Sequence, residues 1–225
     1  MTKVPAHIGL RRSLVSAARR MNALGINRGT SGNLSARVRG GLLITPSAMD
    51  YGQMSAGDIV ALDGGGRLRG GDASRQPSSE WRIHRDIYCA RPDAGAIVHT
   101  HSISATALAC LRRGIPAFHY MVAVAGGHDI RCAPYATFGT QKLSDAALRA
   151  LEGRRACLLA NHGVIALGED VAAALALAVE VEALAAQYLA AAAVEEPKRL
   201  SRAAMDKVLR RFDDYRAGKP LAETD

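Results

Sequence analysis

Short apolar runs alternate with amphipathic helical stretches along the chain, and this alternation restricts the fold more than any other feature. Residues 8–24 repeat apolar side chains at spacings of three and four, which predicts a helix ending at Gly25. The further predicted helices are 77–91, 102–114 (closed by Gly114), 169–193 and one from Ser201 to about Arg216; the predicted strands are 34–38, 41–45, 58–63, 94–101 and two runs around 161–163, and 64–71 is a hairpin. This order in 225 residues predicts one domain of the α/β or α+β class.

The composition excludes several classes of protein. With 48% apolar and 22% charged residues, the chain is not expected to be disordered. Its cysteines are far apart and form no C-x-x-C motif, which argues against a disulfide scaffold and a thiolate zinc cluster; they are Cys89, Cys110, Cys132 and Cys157. No signal peptide is recognisable, and Glu180, Glu182 and Gln187 interrupt the apolar stretch 171–194, so we expect a cytoplasmic protein with no membrane partner.

The net charge of +8 is concentrated near the N-terminus, where residues 1–49 contain eight basic side chains and no acidic one. A basic block is typical of a solvated helix face, and it also occurs in proteins that bind an anionic partner. Because the basic residues are not interleaved with aromatic ones, we do not expect nucleic acid as that partner. Attraction of a phosphorylated substrate stays open as a hypothesis.

Three histidines form a candidate metal site. His99 and His101 are two positions apart in a predicted strand, so their side chains point to the same face. His162 lies where two apolar runs meet at a glycine. Zinc commonly binds three nitrogen ligands and keeps one position open for substrate. Each histidine taken alone is more often a structural residue, and only the set favours metal binding.

The segment 77–84 adds a carboxylate and hydroxyl groups. Ser78 and Ser79 precede a predicted helix, whose free N–H groups favour an anion, and Glu80 is predicted in its first turn. Simple capping explains these residues equally well when they are considered alone. Together with the histidines and the Gly/Ser/Thr loops 29–33 and 45–47, they indicate a metal-assisted reaction on a phosphorylated small molecule.

Seven motifs match a known family in the same order along the chain. They are GTSGNLSARV, LLITPSAMDYG, PSSEWRIHRDIY, AIVHTHSISATALA, IPAFHYMVAVAGG, CAPYATFGT and LLANHGVIALG. From about residue 8 to residue 216 the chain resembles the class II aldolases of the aldolase/adducin family, most closely the L-fuculose-1-phosphate aldolase type. The resemblance implies one domain over 1–225 with flexible ends at 1–7 and 217–225. It also implies a central, mostly antiparallel sheet flanked by helices, and a homotetramer with active sites between subunits.

The resemblance further implies a role for each matching residue. A zinc ion, with Mn²⁺ or Co²⁺ as alternatives, would be held by His99, His101, His162 and Glu80, and Glu80 would also be the acid/base. The residues implied to bind substrate phosphate are Asn33, Thr45, Ser47, Ala48, Ser78 and Ser79. Phe138 would line the aldehyde side, Tyr120 would donate a proton in a neighbouring subunit's site, and Tyr215 would be a second, mobile tyrosine.

The implied reaction is cleavage of a ketose 1-phosphate of the L-fuculose 1-phosphate type into dihydroxyacetone phosphate and an aldehyde. An aldolase for 5-deoxyribulose or 5-methylthioribulose 1-phosphate would use the same residues. Family epimerases, dehydratases and decarboxylases remain alternatives, although Glu80 is less typical of the pentulose-phosphate 4-epimerases. A non-catalytic domain is not expected, because the metal ligands are present. Ala48 replaces a family glycine, and alanine disfavours positive φ.

Overall fold

A computed structural model describes residues 5–69 and 75–219 of the chain. The strands are β1 (Asn33–Val38), β2 (Gly41–Ile44), β3 (Val60–Asp63), β4 (Ala96–Thr100), β5 (Arg131–Ala133), β6 (Ala156–Leu159) and β7 (Gly163–Gly168). The α-helices are α1 (Ile8–Ala23), α2 (Trp81–Ala90), α3 (Ile103–Cys110), α4 (Gln141–Ala150), α5 (Val171–Ala192) and α6 (Arg202–Arg216), and Tyr120–Ala125 is a 3-10 helix.

These strands form one seven-stranded sheet in the order β3-β2-β1-β4-β7-β6-β5. Every neighbouring pair is antiparallel except β5 and β6, which are parallel. The predicted mostly antiparallel sheet flanked by helices is therefore confirmed. The domain bounds 1–225 stay a prediction.

The two faces of the sheet carry separate apolar cores, as the alternation of side chains in a strand requires. On β4, Val98 belongs to the core that includes α1, α3 and α5. Its neighbour Ile97 belongs to the other core, which includes α2 and α4. His99 lies two residues after Ile97 and thus faces the α2 side. This placement decides which helix can meet the histidines.

The predicted C-terminal end of the helix over 102–114 is wrong. It stops at Cys110, and Arg112 adopts a positive φ of 55°. Gly114 is needed for another reason: a Cβ there would lie 2.5 Å from the carbonyl oxygen of Ile130, which forms a β-bridge with the next residue, Ile115. Likewise Glu80 is the residue before α2 rather than a member of its first turn.

Sequence analysis assigned no elements to β5, α4 and the 3-10 helix. For α4 a signal was present, since the Thr140 side chain accepts a hydrogen bond from the Leu143 N–H and apolar residues follow at helical spacing. Strand β5 has only three residues and is placed by its pairing with β6.

Parts of the predicted ends 1–7 and 217–225 and of the hairpin 64–71 lie outside the described residues. In the described part of the hairpin, Leu62 and Leu68 form a bridge and the Asp63 N–H donates to the Arg67 carbonyl at 2.9 Å.

Helix α5 is the one described helix whose length and composition would suit a membrane span, and half of its apolar window is buried inside the protein. It packs on β4, β7 and α3. Its apolar character is therefore explained by its place in the core.

Several arginines of the basic N-terminal block are structural. Arg11 is buried and donates to the Ala56 and Ile59 carbonyls, and Arg19 donates to the Met54 carbonyl at 2.9 Å. Arg37 donates to the Arg91 carbonyl at 2.7 Å. The interpretation of the basic block as a purely solvated face therefore does not hold for these three arginines, because each of them binds backbone carbonyl groups.

Glu182 of α5 caps the helix that follows His101. Its two carboxylate oxygens accept the Ser104 and Ala105 N–H groups at 2.8 and 2.9 Å, while the side chain of the preceding Ser102 forms no cap. We expect Glu182→Ala to lower the free energy of unfolding by about 2 kcal/mol, because two helix N–H groups lose a charged acceptor. Urea denaturation measures this. Glu180→Ala on the same helix is the control and should change stability by less than about 0.5 kcal/mol; equal losses would contradict the cap.

Candidate metal centre

Four side chains from three segments converge where the central strand β4 ends. His99 is near the end of β4, His101 follows that strand, and His162 lies in the turn between β6 and β7. Glu80 precedes α2, which covers the face of the sheet that His99 occupies. One potential ligand atom from each residue lies within 4.8 Å of the others. The four residues that the sequence selected are therefore neighbours in space.

The separations of these atoms suit a small metal ion. The Nε2 atoms of His99 and His101 are 2.9 Å apart, and His99 Nε2 lies 3.1 Å from Glu80 Oε2. His162 Nε2 lies 3.3 Å from Glu80 Oε1. Bonds of about 2.0–2.1 Å in a tetrahedral zinc site place ligand atoms roughly 3.3 Å apart. A modest adjustment would accommodate such an ion.

Hydrogen bonding prepares His99 as a nitrogen donor. Its Nδ1 lies 2.8 Å from the Val164 carbonyl oxygen, which can only accept, so Nδ1 carries a proton. Its Nε2 then directs a lone pair into the cluster when the ring is neutral. Oε1 of Glu80 is buried and has no hydrogen-bond partner among the described residues. A cation at the centre would satisfy both atoms.

The electrostatics of the cluster also favour a cation. Burial, followed by the charge of a protonated His99, lowers the pKa of both His101 and His162 to about 4. Burial also disfavours the charged form of His99, but the Glu80 carboxylate raises the pKa of that ring above its ordinary value. Burial raises the pKa of the Glu80 carboxyl, whereas His99 and the Asn33 hydrogen bond hold it well below its usual range. Two imidazoles held neutral by burial, together with His99 and a carboxylate, form a suitable donor set for a divalent metal, which would displace the proton of His99.

The turn that carries His162 depends on the residues on either side of it, Asn161 and Gly163. Asn161 adopts a positive φ of 56°, which asparagine tolerates better than most residues. A Cβ on Gly163 would lie 2.3 Å from the Thr100 carbonyl oxygen and 2.9 Å from Cδ2 of His101. Only glycine therefore lets the β6–β7 turn approach the end of β4 closely enough to complete the cluster.

The residues predicted to bind phosphate fall into two groups. Ser47 and Ser79 are exposed, and the turn that contains Ser47 is tied to the segment before α2, since Ser47 N–H donates to the Gln76 carbonyl at 2.9 Å. In contrast, the Thr45 hydroxyl is buried and accepts the Leu34 N–H. Ser78 is also buried, and its hydroxyl accepts the Glu80 N–H at 3.3 Å. Phosphate binding by these residues stays a prediction.

Asn33 links Glu80 to His84 of α2 through hydrogen bonds. It is buried, its amide nitrogen donates to Glu80 Oε2 at 3.0 Å, and its amide oxygen lies 2.6 Å from His84 Nε2. His84 lies on α2, one turn after Glu80. The structure shows that it contacts the centre through Asn33.

Ala48 adopts a left-handed conformation with φ of 53°. Because alanine has a Cβ, this conformation costs about 1 kcal/mol more than it would for glycine. We expect Ala48→Gly to raise the free energy of unfolding by about 1 kcal/mol, measured by urea denaturation. Ala186→Gly, at an exposed position inside α5, should lower it by about 1 kcal/mol. A loss at both positions would show that the conformation of Ala48 is not strained.

A cavity of about 310 Å³ opens beside the cluster and is lined in part by Glu80, His101 and His162. Phe138 also lines this cavity, and its predicted contact with the aldehyde stays a prediction. Tyr135 also lines it and was missed, although it lies in the same motif as Phe138. The lining of the cavity therefore includes two aromatic rings.

The two tyrosines implied by the resemblance lie elsewhere. Tyr120 and Tyr215 line a second cavity of about 250 Å³ together with Val208, Arg211 and Phe212, and both are exposed. None of the four clustered residues lines that cavity. A contribution of these tyrosines to catalysis therefore stays a prediction that requires a neighbouring subunit.

Comparison with known proteins gives concordant results. Residues 12–189 match the family described as the Class II Aldolase and Adducin N-terminal domain. Over 93% of its length the chain is 55% identical to a 5-methylthioribulose-1-phosphate/5-deoxyribulose-1-phosphate aldolase of Rhodospirillum rubrum, of which 94% is covered. Over 92% of its length it is 46% identical to an L-fuculose phosphate aldolase of Escherichia coli, of which 95% is covered.

A solved structure of an L-fuculose 1-phosphate aldolase superposes with a TM-score of 0.88 and 40% sequence identity. The alignment covers 93% of this chain and 98% of that one. The fold described above is therefore shared with a solved structure along nearly the whole chain.

Proposed function

The chain belongs to the class II aldolase and adducin family, and we propose that it is a metal-dependent aldolase of ketose 1-phosphates. It cleaves a substrate of the L-fuculose 1-phosphate type into dihydroxyacetone phosphate and an aldehyde. The observation that carries this proposal is the cluster of Glu80, His99, His101 and His162, within 4.8 Å of one another, beside a cavity.

In this proposal the four clustered side chains would hold a divalent metal, and zinc is the preferred candidate. When bound, the metal supplies Lewis-acid stabilisation for negative charge on the substrate oxygen at C2. The unpaired Oε1 of Glu80 and the preset tautomer of His99 support the assignment. His101 and His162, whose pKa values burial lowers to about 4, bind a metal without first losing a proton, whereas a protonated His99 gives up its Nε2 proton on binding.

Glu80 moves the proton in the proposed reaction. When the C3–C4 bond breaks, its electron pair stays with C3 and the C4 hydroxyl loses its proton to become the aldehyde. Glu80, protonated from solvent during turnover, gives a proton to C3 and becomes a carboxylate again. Tyr120, reaching from a neighbouring subunit of a homotetramer, exchanges a proton with the aldehyde oxygen, and Tyr215 assists there. Phe138 contacts the aldehyde portion.

The proposed phosphate site lies between the turn at Ser47 and the segment before α2. Ser47 and Ser79 offer exposed hydroxyl groups, and the neighbouring Ser78 is buried. Thr45, Asn33 and Ala48 shape this site. The exposed part of the basic N-terminal block would attract the phosphorylated substrate. The proposed protein is cytoplasmic, and neither nucleic acid nor a membrane is among its proposed partners.

A second candidate is an aldolase for 5-methylthioribulose or 5-deoxyribulose 1-phosphate. It is favoured by the 55% identity to the relative of that name from Rhodospirillum rubrum. Both candidates release dihydroxyacetone phosphate and differ in the aldehyde. The aromatic rings that line the cavity, Tyr135 and Phe138, are compatible with an apolar group at the end of the substrate.

A cleavage assay on zinc-loaded protein tests the proposal. The substrates are the 1-phosphates of L-fuculose, L-rhamnulose, L- and D-ribulose, 5-deoxyribulose and 5-methylthioribulose, and dihydroxyacetone phosphate is detected by coupled oxidation of NADH. We expect release that a chelator abolishes and added zinc restores, and the rates rank the substrates. If zinc binds but no substrate releases the product, the aldolase proposal is wrong and the epimerase, dehydratase and decarboxylase activities come next.

A further inference from the structure

A buried chain of hydrogen bonds runs from α2 through β1 to the candidate ligand Glu80. The Tyr88 hydroxyl lies 2.8 Å from Ser35 Oγ, which lies 2.6 Å from Nδ1 of His84. Nε2 of His84 lies 2.6 Å from Asn33 Oδ1, and Asn33 Nδ2 lies 3.0 Å from Glu80 Oε2. All five residues are at least 94% buried. Such a network is costly to bury unless every member is satisfied.

The periodicities of the two elements create this arrangement. His84 and Tyr88 are four residues apart and lie on one side of α2, and Glu80 lies one turn earlier, directly before the helix. Asn33 and Ser35 are two apart on β1 and project from the same face of the sheet. Asn33 also pairs with His99 across β1 and β4, which places it beside the cluster.

The direction of each hydrogen bond follows from the two ends of the chain. Glu80 is a carboxylate and can only accept, so the Asn33 amide must present its N–H to it and its oxygen to His84. His84 therefore donates from Nε2 and accepts at Nδ1 from the Ser35 hydroxyl. Among the described residues Ser35 is the one hydrogen-bond partner of the Tyr88 hydroxyl, which therefore donates to it. Burial, followed by the charge of His99, lowers the pKa of His84 to about 3, in keeping with a neutral ring.

We propose that His84 and Ser35 are positioning residues, which fix the Asn33 amide with its N–H toward Glu80 and so hold that carboxylate for metal binding and proton transfer. With the amide reversed, an amide oxygen would face a carboxylate oxygen, and the ring of His84 would need its other tautomer. Reversing the Asn33 amide would therefore require a change in the His84 tautomer and, with it, in the direction of the Ser35 hydrogen bond. The proposal concerns the role of Glu80 and rests on the proposed function for its catalytic part only.

The test compares two substitutions of His84 in the full-length chain. His84→Met fills the space but can neither donate to Asn33 nor accept strongly from Ser35. His84→Gln presents an amide donor and an acceptor, so it can replace both hydrogen bonds. Zinc affinity is measured by competition with a chromophoric chelator, and kcat and KM are measured in the cleavage assay. His128→Met is the control, because His128 is bonded to Asp206 of α6 at 2.7 Å and contacts no residue of the chain of hydrogen bonds.

We expect His84→Met to lower zinc affinity and kcat about 10- to 100-fold with KM within about threefold, as for other residues that orient metal ligands. His84→Gln should restore both values to within about threefold of the unmodified protein, and His128→Met should leave them unchanged. Unchanged zinc affinity in His84→Met would overturn the proposal. Equal losses of affinity in the methionine and glutamine variants would do the same, since they indicate a role in packing alone.

A smaller change covers the case in which His84→Met does not fold. Ser35→Ala removes only the hydroxyl that fixes the tautomer, and we expect it to lower zinc affinity about threefold to tenfold. If it folds with unchanged affinity, the proposal is wrong. Zinc binding needs no substrate, so a protein that shows these affinity changes but cleaves no ketose 1-phosphate would disprove the proposed function and leave the positioning role in place.

Discussion

Glu80→Gln is expected to lower kcat for cleavage by about 10³-fold while the fold is preserved. Glutamine has the size of glutamate but its amide neither accepts nor returns a proton at the reacting carbon. It can still use its oxygen as the acceptor for Asn33, so zinc should remain bound in the cluster, although more weakly. The coupled assay measures kcat, zinc content is determined on the purified variant, and circular dichroism checks the fold.

Glu180→Gln is the control for that substitution, since it makes the same chemical change on α5 away from the cluster. We expect its kcat to lie within about twofold of the unmodified protein. If the zinc-loaded Glu80→Gln variant keeps a kcat within about tenfold of the unmodified protein, Glu80 does not transfer the proton. Loss of zinc together with kcat would restrict its role to metal binding.

Gly163→Ala should damage both the fold and the metal centre. The added Cβ would lie 2.3 Å from the Thr100 carbonyl oxygen, which is backbone, and 2.9 Å from the ring of His101. The strands β4 and β7 must separate or the His101 ring must move. We expect a loss of about 3 kcal/mol in the free energy of unfolding and a zinc affinity at least about tenfold lower.

Urea denaturation and chelator competition measure these two effects. Gly64→Ala is the matched control, because a Cβ there meets nothing within 4 Å and Gly64 does not require a positive φ. It should change stability by less than about 0.5 kcal/mol and leave zinc affinity unaltered. Normal zinc affinity in Gly163→Ala would mean that the close approach of the turn to His101 is not required for the cluster.

Much of the local structure could be predicted from the sequence. Helix α6 begins with the Ser201 cap, whose side chain accepts the Ala204 N–H at 3.1 Å, and β4 has the apolar run that its position in the sheet requires. The three histidines of the cluster could also be chosen from local signals, because two lie at strand spacing and the third at a glycine turn, whereas Glu80 was assigned to the metal by the resemblance to the class II aldolases.

What sequence could not supply are features that depend on which segments meet. The end of α3 at Cys110 depends on the residues around Asn161, more than 40 positions away, since Asn161 N–H donates to the Ala109 carbonyl. Tyr135 lines the cavity only because its loop lies beside the cluster. The distances within the cluster and the hydrogen bonds of Asn33 likewise depend on the register of β1 with β4.

The sequence by itself therefore determined the kinds of secondary structure, the alternation of faces and the residues able to bind a metal, because these follow from spacing and side-chain chemistry within short segments. Only the tertiary structure decided that Glu80, His99, His101 and His162 share one centre, and that His84 reaches it through Asn33. The physical reason is that strand order and register bring distant segments together, and the free energy of that packing is summed over the whole core rather than encoded at any one position.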